Sequence, residues 1–127
     1  ALNNLINNAT KYSHEGTKIV CGLKQKRMEF EFSILNQGPL IPRDKLSEIF
    51  NEFVRLTPSG TAGTGLGLFV VKKIVEMHHG RIKAQSDYIR RQKLLQCRAG
   101  SEKGHQRLSG PTTYVKFILT IPQKKMF

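Results

Sequence analysis

Gly63-Thr64-Gly65-Leu66-Gly67-Leu68 runs without a break into Phe69-Val70-Val71-Lys72-Lys73-Ile74-Val75-Glu76-Met77. Glycines at 63, 65 and 67 remove the Cβ atoms that hold an anion away from the backbone, and they permit positive φ. Phe69, Val70, Ile74 and Met77 recur at helical spacing, so the glycine loop opens onto a helix N-terminus, where unpaired N–H groups and the positive end of the dipole converge. That combination is a phosphate seat. It is neither of the familiar phosphate loops, because no Lys-Ser/Thr pair follows the last glycine and no strand immediately precedes the first. Glycines also end helices and let backbones pack closely, so the rest of the chain decides between the two readings.

Upstream, Leu2, Leu5, Ile6 and Ala9 form the apolar stripe of a helix ending near Ser13, with His14-Glu15-Gly16 as the turn. Lys18 to Leu23 and Met28 to Leu35 flank the polar stretch Lys24-Gln25-Lys26-Arg27 and predict a β-hairpin, with Met28, Phe30, Phe32 and Ile34 on its buried face. Asn36 to Pro42 reads as a loop, and Pro42 opens a helix carrying Leu46, Ile49, Phe50 and Phe53. Leu56 to Ala62 is a short polar connector suited to a lid. Downstream of the glycine helix, His79-Gly80 is a stop, Arg81 to Ser86 a strand, and Tyr114 to Ile121 a closing β-branched and aromatic strand. The order predicts an α+β fold, a two-layer α/β sandwich with helices on one face of a mixed, mainly antiparallel sheet.

Size and charge narrow the function classes. The 127 residues suffice for one domain with its own core. We read residues 1–127 as one N-terminally truncated domain, since Ala1 already falls inside a helical pattern and no initiating Met is present. Cys21 and Cys97 have no disulfide or metal-site spacing, and no apolar run approaches a membrane span, so the expectation is a soluble domain of the reducing cytoplasm. The net charge of +12 is uneven, with twelve Lys/Arg against eight Asp/Glu in residues 1–87 and nine against one in 88–127. Residues 88–111 read as a basic insertion or loop between the last two strands. Tyr88 stands at its edge, but no interleaved aromatics are present to stack bases, which argues against nucleic acid as a partner.

Asn4, Asn8, Lys11 and Tyr12 follow at helical spacing and share one face of the first helix. An amide oxygen there can ligate Mg²⁺, and a lysine one turn on can meet phosphate. The run Ala1-Leu-Asn-Asn-Leu-Ile-Asn-Asn-Ala-Thr-Lys-Tyr-Ser13 resembles the N box of the sensor histidine kinases, of the superfamily shared with gyrase and Hsp90. Asn36-Gln-Gly-Pro-Leu-Ile-Pro42 resembles the G1 box, Ile49 to Arg55 the F box, and Gly63 to Leu68 the G2 box, in the family's order.

The resemblance implies a Bergerat-type catalytic domain binding ATP and Mg²⁺. By position in the boxes, Asn8 holds the metal, Lys11 and Arg55 approach the phosphates, and Tyr12 packs by the adenine or ribose. Gly63, Thr64, Gly65, Leu66, Gly67 and Leu68 set backbone amides against the triphosphate, Asn36 meets the adenine, and Gly38, Ile41 and Thr113 are further nucleotide-binding positions. The γ-phosphate passes to a histidine on a separate dimerisation domain and from there to a response regulator receiver domain. A membrane enters only through sensor regions outside this chain. The four histidines of this chain sit in turn, cap or surface contexts rather than an acceptor helix. The other reading is a degenerate nucleotide-binding or docking module without kinase activity.

Three positions depart from the family pattern. Asn36 stands where the family usually has Asp, Leu40 replaces the third G1 glycine, and Glu52 occupies an often basic position. Asn36 still accepts from the adenine amino group. A neutral bond contributes about 0.5–1.5 kcal/mol against about 1.5–3 for a charged one, so adenine binding roughly tenfold weaker is expected. Asn4 stands where the superfamily's hydrolases have Glu, and an amide cannot accept a proton from water at neutral pH. The implied catalytic group is therefore Asn4, Lys11 and Arg55, working by position and charge rather than by base chemistry.

Overall fold

The computed structural model describes residues 1–56, 63–89 and 112–123. Helix α1 spans Leu2–Tyr12, β1 Val20–Lys26 and β2 Glu29–Gln37. Helix α2 spans Gly67–Met77, β3 Arg81–Tyr88 and β4 Thr113–Pro122. The sheet has the order β1-β2-β4-β3 and is antiparallel throughout, without a parallel pair among the described residues.

Register explains the core. Ile34 and Ala84 both face Phe117, and Ile82 and Phe32 both face Leu119, so one side of three strands presents a continuous apolar surface. Leu5 and Ala9 of α1 and Val71 and Val75 of α2 are buried against that side together with Ile34 and Phe117. Both helices thus lie on one face, as the period of their apolar residues requires. The other face is charged, with Glu29 bonded to Arg81 at 3.1 Å and Glu31 to Lys26.

Four expectations need correction. The helix expected from Pro42 to Phe53 is instead two short 3₁₀ turns, Arg43–Lys45 and Glu48–Phe50, closed by bonds from Lys45 N–H to Pro42 O and Asn51 N–H to Glu48 O, both 2.9 Å. Ile49 and Phe50 are adjacent yet both buried, which a surface α-helix does not favour, and Phe53 is 67% exposed with φ of 61°, outside any right-handed helix. Asn36 and Gln37 belong to β2 rather than the following loop, because they pair with Val115 and Tyr114. Lys24 to Lys26 lie in β1, leaving Arg27 and Met28 as the hairpin turn. Met28 and Phe30 are exposed, since Leu5 and Ala9 cover the later part of β2 around Ile34.

The stop after α2 holds. Gly80 N–H donates to Val75 O and His79 N–H to Glu76 O, both at 2.9 Å, a Schellman-type closure with His79 itself at φ 58°. The lid connector, apart from Leu56, and residues 90–111 of the basic excursion lie outside the described residues. The ends of the latter meet: Tyr88 pairs with Thr113, and Ile89 N–H donates to Thr112 O at 2.7 Å.

Candidate nucleotide site

The cavity grows from the end of α1. Because Leu5 and Ala9 face the sheet, the residues just before them, Asn4 and Asn8, turn toward the gap between α1 and the glycine segment. Asn4 and Asn8 are half-buried there, and Lys11 is exposed at the rim. Asn4 Nδ2 donates to Gly67 O at 3.3 Å and so ties α1 to the first residue of α2. Lys11 Nζ lies 5.2 Å from the Tyr12 ring centroid and close to Gly63, where a Cβ would stand 2.6 Å from it. Gly63 therefore makes room for the ammonium.

Arg55 comes from the segment after the second 3₁₀ turn. Gly65 turns beneath it with φ of 73°, and a Cβ there would stand 3.0 Å from the Phe53 carbonyl carbon and 3.2 Å from Arg55 Cγ. Val70 N–H makes the first intrahelical bond of α2, to Leu66 O at 2.9 Å, and no side chain caps the helix. The preceding amides thus face the cavity end of the dipole without an intrahelical acceptor.

These elements enclose a cavity of about 670 Å³, within the usual range for a small-molecule site. Its polar wall carries Asn4, Asn7, Asn8, Lys11 and Arg55, its glycine wall Gly63, Thr64, Gly65, Gly67 and Leu68. Its floor is apolar, made of Ile41, Ile49, Val115 and Phe117, with the Phe50 ring edge-on to Phe117 at 6.1 Å. Tyr12 and Asn36 close the end near β2. Among the described residues no carboxylate lines it, so lysine, arginine and a helix N-terminus leave the wall positive, suited to an anion.

Of the residues expected from the sequence, all but Gly38, Leu66 and Thr113 line the cavity. Gly38 and Thr113 stand behind the wall. The Thr113 hydroxyl donates to Gly38 O, and Gly38 N–H donates to Thr113 O at 3.2 Å. A Cβ on Gly38 would collide with Tyr12 O, so the loop passes α1 only as glycine. Ser86 anchors the same loop, receiving Ile41 N–H and donating to Tyr114 O, both at 2.9 Å. Nothing in local sequence signals Ser86.

Several further residues escaped the sequence reading. Val115 and Phe117 had a usable signal, the period-two alternation of β4; Asn7 and Leu40 lie within the N and G1 boxes, which gave no role to either. Lys45 also lines the cavity, paired to Glu48 at 2.7 Å, and that hydrogen bond holds its ammonium above the ordinary lysine value.

A profile of the histidine kinase-, DNA gyrase B- and HSP90-like ATPases matches residues 1–125. The chain belongs to this family. The probable sensor kinase SilS of Salmonella typhimurium is 42% identical over 90 residues, 68% of this chain and 18% of that protein. The sensor protein VanS of Enterococcus faecium is 41% identical over 90 residues, 67% of this chain and 23% of its own length. The chain thus spans about a fifth of these curated relatives. Among solved structures, the mycobacterial sensor histidine kinase MprB superposes with a TM-score of 0.65 at 28% identity, covering 97% of this chain and 68% of that one. The catalytic domain of histidine kinase ThkA gives 0.65 at 29%, covering 95% and 62%. The sandwich expected from the sequence is thus the fold of histidine kinase catalytic domains. Among the described residues no helix is long and apolar enough to cross a membrane, and no three His, Cys, Asp or Glu side chains cluster as a metal site.

Proposed function

We propose that this chain is the ATP-binding catalytic domain of a sensor histidine kinase, delivering the γ-phosphate to a histidine on a separate dimerisation domain, from which a receiver domain takes it. The observation that carries the reading is the cavity itself, with the Asn4–Asn8–Lys11 face of α1 opposite the N-terminus of α2 and a buried amide at the far end. A triphosphate placed with its anionic end toward α2 puts its base near Asn36 and Tyr12. The docking-module reading has no comparable support: it uses neither the cavity nor the helix N-terminus that opens into it.

A magnesium ion fits this donor set as a phosphate-bound ion. Asn8 would hold it through its side-chain amide oxygen, a neutral ligand of the kind Mg²⁺ accepts. When bound, it neutralises phosphate charge. Lys11 and Arg55 add fixed positive charge, the amides preceding Val70 hold phosphate oxygens, and the apolar floor excludes water from the base. Asn4 supports no hydrolytic step, because its amide has no basic lone pair and already donates to Gly67 O. Positioning therefore accounts for transfer, with the acceptor histidine supplying the nucleophile. We place the domain on the cytoplasmic side, where ATP and receiver domains are found.

Calorimetric titration with a non-hydrolysable ATP analogue, with and without Mg²⁺, followed by a radiolabel transfer assay with a supplied acceptor domain, tests this. Mg²⁺-dependent binding, transfer in trans and negligible hydrolysis are expected. Hydrolytic turnover near the enzyme median of about ten per second without an acceptor would overturn the transferase reading.

A further inference from the structure

Among the described residues, Asn36 Nδ2 is the one buried side-chain nitrogen or oxygen without a hydrogen-bond partner. Asn36 is 2% exposed, lines the cavity, and is held at its backbone by pairing with Val115. An orphaned buried donor costs stability unless something completes it, and within a cavity that something is a ligand acceptor. A carboxylate at this position offers acceptors only. It takes a hydrogen from a 6-amino purine and repels the carbonyl oxygen of a 6-oxo purine.

An amide offers one donor and one acceptor side by side. The 6-amino purine edge presents a donor at the exocyclic nitrogen beside an acceptor at N1, and the 6-oxo edge presents an acceptor at O6 beside a donor at N1. Rotation of the amide by a half turn about χ2 matches either edge with two hydrogen bonds. Gly38 leaves space for that rotation: a Cβ on it would stand 2.9 Å from Asn36 Nδ2. We infer that Asn36 sets the base specificity of this site and that the chain accepts 6-oxo purine triphosphates alongside ATP. The inference rests on the nucleotide-binding reading above and adds the class of base.

Titration calorimetry of the full chain with ATP, ITP and GTP in Mg²⁺ tests it, ITP isolating the six-position from the 2-amino group of guanine. ITP should bind within about tenfold of ATP, because both bases complete the same pair of neutral hydrogen bonds. In Asn36→Asp the ATP affinity should rise and the ITP affinity fall, widening their ratio by about tenfold or more. Binding of ATP with rejection of ITP by a hundredfold in the unmodified chain would overturn the inference while leaving the ATP reading intact. An unchanged ratio in a folded Asn36→Asp variant would overturn it too, since the base would then be read elsewhere. Should that variant not fold, the ATP to ITP ratio of the unmodified chain decides. Failure of all three triphosphates to bind would overturn the nucleotide reading and this inference together.

Discussion

The end of the cavity that we propose for the base and the end that we propose for the phosphates are built by different means. At the base end, Asn36, Val115 and Phe117 are buried side chains whose places follow from strand pairing between residues some eighty positions apart. At the phosphate end, Gly63 and Thr64 are exposed, the helix amides are backbone groups, and Lys11 is an exposed side chain at the rim. The base end is therefore rigid and coupled to global stability. The phosphate end is local, and changes there should alter binding without unfolding the domain.

The largest expected effect breaks the base end. Phe117 is 1% exposed and carries both the sheet core and the cavity floor, so Phe117→Ala should destabilise the domain by about 3–5 kcal/mol in a urea titration. A loss under about 1 kcal/mol would mean the floor is not part of the core. At the phosphate end, Gly65→Ala forces a side chain into φ of 73° against the Phe53 backbone, costing about 1–2 kcal/mol. Nucleotide affinity should fall at least about tenfold while the circular dichroism spectrum is retained. Unchanged affinity would show that the turn does not shape the phosphate seat.

Asn8→Ala should change stability by no more than about 0.5 kcal/mol yet abolish the Mg²⁺ enhancement of nucleotide affinity, as measured by calorimetry. Equal enhancement in variant and parent would remove Asn8 from the metal. The smallest effect is expected on the charged outer face, far from either end. The hydrogen bond with Lys26 holds the Glu31 carboxyl below its ordinary value and the Lys26 ammonium above its own. The Glu31 contribution is thus present above the ordinary carboxylate range and lost as pH falls through the lowered folded value. That of Lys26 is full below its ordinary value and lost as pH rises through the raised one. Both groups are solvated, so Lys26→Ala should lower the melting temperature barely measurably at pH 7 and not at all at pH 2. An equal difference at both pH values would assign the effect to packing.

The phosphate end was the more legible in sequence, and the reason is its locality. Glycine spacing, the helical period after Gly67 and the amide-lysine face of α1 are written within one or two turns of chain, where residue spacing and spatial neighbourhood coincide. The 3₁₀ turns are hidden in the sequence, because the apolar pattern at Leu46, Ile49, Phe50 and Phe53 has helical spacing although Phe53 never enters the core. Asn36 reads as loop from the glycine and prolines that follow it, but its pairing with Val115 extends β2 through it.

Sequence alone determined the two α-helices, the hairpin and the two closing strands, the shared polar face of α1 and, through four boxes in register, the family. Tertiary structure alone decided that Thr113 and Ser86 anchor the loop after β2 rather than line the cavity, and that Val115 and Phe117 form its floor. It also decided that Asn36 brings an unpartnered donor to the base end. Those facts depend on β4 passing between β2 and β3, a pairing of distant segments that only collapse of the shared apolar face selects.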